Sequence, residues 1–130
     1  MSDTLTLRPD ELEDLARRAL VASNTSEYNA GCVARALVQA ECAGQKGHGL
    51  SRVASYTAQA RSGKVDGHAT PKLTAVKTAT VHIDANHGFA YPAIDLAIDT
   101  LPALAREHGL SAAGISHSHH SGQALSLIHI

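Results

Sequence analysis

Apolar residues recur at a helical period through the first half of the chain, and short polar or glycine-rich breaks cut that pattern into three segments. Leu12, Leu15, Ala16, Ala19 and Leu20 make the first stripe, Ala30, Val33, Ala34, Leu37 and Val38 the second, and Leu50, Val53, Tyr56, Thr57 and Ala60 the third. Spacings of three and four put each set on one face of a helix. Such a face must be buried against another element, so the first two segments predict a helical hairpin packed on itself. Arg8-Pro9-Asp10-Glu11 reads as a helix start, with Pro in the first turn and acids at the positive end of the dipole. Ser23-Asn24-Thr25-Ser26 breaks that helix and supplies the next cap. The second helix is expected to run to Gly44, and the third from about Gly49 to Gly63. Upstream, Leu5 and Leu7 alternate with Thr4 and Thr6, as in a short strand or an extended lead-in.

Beyond Pro71 the period changes. Leu73 to Thr78 and Thr80 to Asp84 predict strands, the second with Val81 and Ile83 on one face. Asn86-His87-Gly88 predicts a turn, and Ala90 to Glu107 a helix closed by Gly109. Pro102 inside that helix predicts a kink or a split. Leu110 to Ile115 is a short strand of small residues. The class is therefore α/β (α+β): a helical hairpin and third helix over 1–64, then a strand-helix-strand start of a mixed sheet over 65–124, an incomplete domain.

Aromatic residues are only 3 %, with no Trp, and alanine is abundant, which implies closely packed helices. Eleven basic against twelve acidic residues give a net charge of -1, so no basic field exists to attract nucleic acid or a membrane surface. No apolar run approaches the ~20 residues of a membrane span. Met1 to Asp10 lack the order of a signal peptide. Cys32 and Cys42 fall on one helix, too far apart to pair, and are expected as buried thiols in a reducing cytoplasm.

Three stretches could carry chemistry. In Gly47-His48-Gly49-Leu50-Ser51-Arg52, glycines flank a histidine, leaving room for a ligand near the backbone. With the third helix starting near Gly49, His48 and Arg52 would project together at an anion-favouring helix end. Arginine can grip a carboxylate with two parallel bonds, and histidine can pass a proton to a neighbouring oxygen. The pair suits a 2-hydroxy or 2-oxo acid, although spacing alone favours a capping His and a solvated Arg. Ser116-His117-Ser118-His119-His120-Ser121-Gly122 follows a strand, at the end where ligands sit in α/β sheets. There His120 could reach into a site, while His117 and His119 are better read as exposed or packing residues. Asp84-Ala85-Asn86-His87-Gly88 joins strand to helix and is not a nucleotide-binding fingerprint. Asp84, His87 and the histidine cluster are scattered, and no set of three or four metal ligands emerges.

Taken in order, Ala40-Glu41, Gly44-Gln45-Lys46-Gly47-His48-Gly49-Leu50-Ser51-Arg52, Tyr56, Gly63, Asp84, Gly88-Phe89 and Ser118-His119-His120-Ser121-Gly122 resemble the malate/L-lactate dehydrogenase family. This non-Rossmann family also contains ureidoglycolate, sulfolactate and diketogulonate dehydrogenases and Δ1-piperideine-2-carboxylate reductase. The resemblance implies hydride transfer with NAD or NADP at the carbon beside a carboxylate, in a homodimer. It assigns His48 as proton donor or acceptor, Arg52 as the substrate-carboxylate ligand, His120 as a second acid/base histidine and Ser118 as a substrate-binding neighbour. Three departures stand out. Gly47 occupies the place of a serine proposed in a Ser-His-Asp relay, Ala43 that of a common acid, and Ser121 that of an aromatic residue or Cys.

Members of the family are much longer, and their cofactor region lies mostly beyond this sequence. The resemblance runs to about Ala124. Leu125-Ser126-Leu127-Ile128-His129-Ile130 resembles instead the translation of a transposon-end adapter, so 125–130 is expected to be a non-native tail. The leading expectation is an amino-terminal piece of an oxidoreductase, inactive by itself because hydride transfer needs a bound nicotinamide. The alternative is a small His-rich module that binds a metal or an organic acid without catalysis. A third is a remnant that associates with intact subunits.

Overall fold

Residues 5–122 are described by the computed structural model. The expectations for Gln123, Ala124 and the tail 125–130 lie outside the described residues. Leu5 to Arg8 form no regular element. Helix α1 (Pro9–Val21) starts where the sequence places it, and the Glu11 carboxylate accepts the Arg8 N–H at 2.8 Å. Ser26 caps α2 (Glu27–Cys42) by accepting the Asn29 N–H through its hydroxyl. The two helices pack as the predicted hairpin. Ala30, Val33, Ala34 and Leu37 of α2 are fully buried, and the small alanines let the neighbouring elements close in on this central helix.

The third helix differs from expectation. Two short 3-10 turns, Lys46–His48 and Leu50–Arg52, come first, and α3 spans only Val53–Arg61. The cause is local. The Glu41 carboxylate accepts the Leu50 N–H at 3.0 Å, and Gly49, at φ -95 and ψ -139, leaves helical geometry to meet it. A Cβ at Gly49 would lie 3.1 Å from Glu41 Cα, so only glycine allows that approach.

Strands β1 (Lys72–Lys77) and β2 (Thr80–Asp84) form an antiparallel hairpin with a bulge between Leu73 and Ala75. Helix α4 (Ala90–His108) then crosses to β3 (Ala112–Ser116), which pairs parallel with β2. The sheet order is β1-β2-β3, giving a mixed sheet and a mixed α/β fold. Val81 and Ile83 turn one face of β2 inward, as their alternation predicts, and pack with Ala93 and Ala97 of α4. A second apolar cluster joins Leu20, Val33, Leu37, Tyr56, Val65 and Phe89, tying the helices to the loop before α4. Asn29 reinforces that tie from within the core, donating to the carbonyls of Gly67 and Ala69 at 2.9 Å each.

Two further expectations are sharpened. Of the kink or split expected at Pro102, the split does not occur, and α4 is a single helix. The proline deprives the Ile98 carbonyl of its partner, but Ile98 lies on the solvent side, where water can serve that oxygen, while Leu101 and Leu104 hold the turn on the sheet. Cys32 is buried, but Cys42 is exposed on the last turn of α2. Burial, with the Asp95 carboxylate adding to it, pushes the Cys32 thiol up to about 11. No described helix is long and apolar enough to cross a membrane.

Candidate functional site

The parallel strands β2 and β3 end together at Asp84 and Ser116, and the chain beyond β3 turns back over their carboxyl ends. The loop that follows, His117 to Gly122, is pinned at three points. His117 accepts the His87 N–H through its carbonyl at 2.8 Å, His119 donates its N–H to the Gly88 carbonyl at 2.9 Å, and Gly122 donates its N–H to the Tyr91 hydroxyl at 3.1 Å. The His119 ring is wedged edge-on between Tyr56 and Phe89, at 5.0 and 5.6 Å between centroids. Its Nε2 is 2.8 Å from Gln59 Oε1, and burial holds its pKa below the ordinary imidazole value.

At the far end this loop meets the glycine-rich turn before α3. A Cβ built on Gly122 would lie 3.1 Å from His48 Cβ and 3.3 Å from His48 Nδ1, so the glycine is what allows the loop to seat there. The seat brings the His48 and His120 rings to 6.4 Å between centroids. Arg52 is held on the same turn, its Nε donating to the Gly47 carbonyl at 2.6 Å. Thus the turn orients His48 and Arg52, while the loop delivers His120 to them across the fold.

Between the loop and α3 lies an open cavity of about 540 Å³. Arg52, Ser118 and His120 line it; His48 is not among its lining residues, but its ring lies 6.4 Å from that of His120. The four residues singled out from the sequence therefore converge on one region. His119 packs, as its reading held, but it also lines the cavity. His117, read as exposed or packing, is exposed, lines the cavity and faces Asp84 at 3.1 Å. The Asn86 N–H, ahead of His117, draws the Asp84 carboxyl below its ordinary value.

The sequence reading missed Tyr56, Gln59, Lys64 and Tyr91 as site residues. Lys64, Tyr56 and Gln59 line the cavity, and Tyr91 anchors the loop. No local signal marked them, because their partners lie far away in sequence. Tyr56 had registered as a member of an apolar stripe and as one of the residues that carry the family resemblance, with no site role. Its hydroxyl is buried without a hydrogen-bond partner, as are His48 Nδ1 and His119 Nδ1. Burial, then the neighbouring Tyr91, pushes the Tyr56 phenol well above its usual range. Orphaned polar atoms are expensive in a folded core, about 1–3 kcal/mol each. Among the described residues, no group of three or more His, Cys, Asp or Glu could hold a metal ion.

The family model for malate/L-lactate dehydrogenase matches residues 7–129. A curated relative, (2R)-3-sulfolactate dehydrogenase (NADP(+)) of Chromohalobacter salexigens, is 45 % identical over 124 residues, covering 95 % of this chain and 36 % of the relative. Delta(1)-pyrroline-2-carboxylate reductase of Ancylobacter novellus is 37 % identical over 120 residues, covering 92 % of this chain and 35 % of its own length. Among solved structures, delta1-piperideine-2-carboxylate reductase from Pseudomonas syringae pv. tomato superposes with a TM-score of 0.86 at 38 % identity, over 90 % of this chain and 35 % of that one. Malate dehydrogenase from Entamoeba histolytica shares the fold at a TM-score of 0.85 and 23 % identity, over 94 % of this chain and 34 % of that one. The chain thus spans about 35 % of the length of the relatives it matches.

Proposed function

Since the chain belongs to the malate/L-lactate dehydrogenase family, we propose that the whole protein is an NAD(P)-dependent oxidoreductase that interconverts a small 2-hydroxy acid and its 2-oxo acid. The observation that carries this reading is the meeting of His48 and His120, 6.4 Å apart, at a cavity whose wall includes Arg52. Arg52 takes the carboxylate, which fixes the neighbouring carbon in the cavity. One of the two imidazoles, in its protonated form, gives a proton to the oxygen of a 2-oxo acid as the carbon becomes tetrahedral. In the opposite direction the neutral ring removes the hydroxyl proton. Ser118 on the wall offers a further hydrogen bond to the bound acid. With Gly47 in place of a serine, the proton route runs through the histidines without a serine relay.

The residues present fit a nicotinamide beside the acid. The cavity, about 540 Å³, is larger than a three- or four-carbon acid fills, and the aromatic Tyr56 and the polar Gln59 and Lys64 are on its wall. When bound there, the nicotinamide supplies or accepts the hydride at the carbon beside the carboxylate. The 130 residues alone are expected to turn over nothing, because they span about 35 % of the length of the relatives and hydride transfer needs a bound nicotinamide. The reading extends to a homodimer working in the cytoplasm. Free thiols at Cys32 and Cys42 and the exposed apolar residues Leu73, Val76 and Leu110 support it.

A second reading is favoured by the pyrroline- and piperideine-carboxylate reductases among the relatives. A C=N bond beside a carboxylate asks the same of Arg52 and of a protonated imidazole. Following nicotinamide absorbance with the whole protein, NADH or NADPH, and a panel of 2-oxo acids and cyclic imino acids separates the two. Turnover of 2-oxo acids is the expected result. Turnover of the cyclic imino acids alone selects the second reading, and no turnover of either class refutes both.

A further inference from the structure

Among the described residues, the cavity wall carries the cations Arg52 and Lys64 and no acidic side chain. Arg52 stands at one end, beside the turn that carries His48. At the other end are Lys64, His87 and His117. The His87 and His117 rings lie 4.9 Å apart between centroids, tilted by 37°, and Asp66, two residues past Lys64, donates its N–H to the His87 carbonyl at 3.0 Å. The loop from His117 to His120 runs from one end to the other. Three residues of extended chain reach at most about 11 Å, which bounds the separation of the His117 and His120 backbones.

The backbone at this second end is unusual. Asn86, His87 and His117 have φ of 54, 62 and 48, in the left-handed region that side chains with a Cβ seldom enter. Such residues cluster where a side chain or a backbone amide must be aimed at a ligand. Behind His117 sits Asp84, at 3.1 Å from its Nδ1, which fixes one ring nitrogen and leaves the other available. Asp84 itself is not on the cavity wall. The result is a surface of hydrogen-bond donors and positive charge with no counter-charge facing the cavity.

From this we infer that Lys64, His87 and His117 form a second anion-binding pole, which receives an acidic group other than the carboxylate held by Arg52. The inference rests on the reading of the cavity given above. Two sources carry that chemistry: a carboxylate or sulfonate at the far end of the substrate, and a phosphate of the nicotinamide nucleotide. A substrate with acidic groups at both ends bridges the two poles, while a monoacid fills only the Arg52 end. The pole is thereby a specificity determinant rather than part of the proton transfer.

The test is calorimetric titration of the whole protein, so that it does not depend on turnover. A four-carbon 2-oxo diacid and a four-carbon 2-oxo monoacid are titrated in the presence of NAD+ and of NADP+, and each nucleotide is titrated alone. The expected result is diacid binding at least tenfold tighter than monoacid binding, with the difference lost in Lys64→Gln and restored in Lys64→Arg. His87→Asn, which keeps a residue tolerant of positive φ, should lose part of it. Loss of nucleotide affinity in Lys64→Gln, with the two acids unaffected, assigns the pole to the cofactor phosphate and still supports it. Unchanged affinity of both acids and both nucleotides in Lys64→Gln and His87→Asn overturns it. If a diacid binds selectively but no substrate is turned over, the proposed reaction fails and the pole stands.

Discussion

Gly122→Ala in the whole protein is the most exacting perturbation of this site. The new Cβ would stand 3.1 Å from His48 Cβ and 3.3 Å from His48 Nδ1. Two carbons rest at about 3.5–4.0 Å, so the pair must separate by roughly half an ångström. His48 cannot retreat easily, because the nearest atom is its Cβ, which moves only with the backbone. The loop cannot retreat either without releasing the Gly122 N–H from the Tyr91 hydroxyl at 3.1 Å. Overpacking of this kind costs about 1–3 kcal/mol of stability. A displacement near 1 Å at a reacting centre costs about a hundredfold in rate, so half of that predicts roughly a tenfold fall in kcat. The KM for the acid should change little, because Arg52 is held separately by the Gly47 carbonyl. Steady-state kinetics and thermal unfolding of the variant measure both quantities. Gly47→Ala is the control, since nothing lies within 4 Å of a Cβ there. Unchanged kcat and Tm in Gly122→Ala would refute the seating of the loop on His48.

Titration with a thiol reagent should label Cys42 quickly and Cys32 only on denaturation, because Cys32 is buried and its thiol is pushed up to about 11; equal labelling rates would contradict the packing of α2. Asn29→Ala should destabilise the chain by about 2–4 kcal/mol in denaturant unfolding, since it strands two carbonyls that its amide now serves at 2.9 Å each; a loss under about 0.5 kcal/mol would show that water reaches those carbonyls. For His119, burial lowers the folded-state pKa below the unfolded value. The unfolded chain then binds more protons between the two values, so stability falls as pH drops below about 6.5 and levels off once the pH is below the folded value. His119→Gln should flatten that part of the stability curve, and an unaltered slope would contradict the buried placement.

Much of this molecule was legible in the sequence because its signals are local. The stripes at Leu12 to Leu20 and Ala30 to Val38, the alternation at Val81 and Ile83, and the caps at Ser26 and Gly109 are each set by neighbours within a few residues. The third helix was misplaced because its start is decided by Glu41, which lies nine residues before the Leu50 N–H it accepts. At Pro102 the helix is not split, since packing of Leu101 and Leu104 on the sheet outweighs one missing hydrogen bond. At the site, Arg52 and the histidines carry recognisable chemistry in their own types. What brings His120 to His48 is a glycine contact and a tyrosine hydroxyl contributed from α4. Neither leaves a mark on the residues beside it, and Lys64 is likewise an ordinary exposed lysine until the fold places it on the cavity wall.

The most direct test of the account is a comparison of Arg52→Ala, His48→Ala and His120→Ala in the whole protein, with initial rates followed through nicotinamide absorbance. The account predicts that Arg52→Ala raises KM for the acid at least tenfold, a loss of about 1.4 kcal/mol or more in binding. It predicts that at least one of His48→Ala and His120→Ala lowers kcat by about a hundredfold or more with KM little changed, identifying the ring that carries the proton. Equal and negligible effects in all three variants would contradict it.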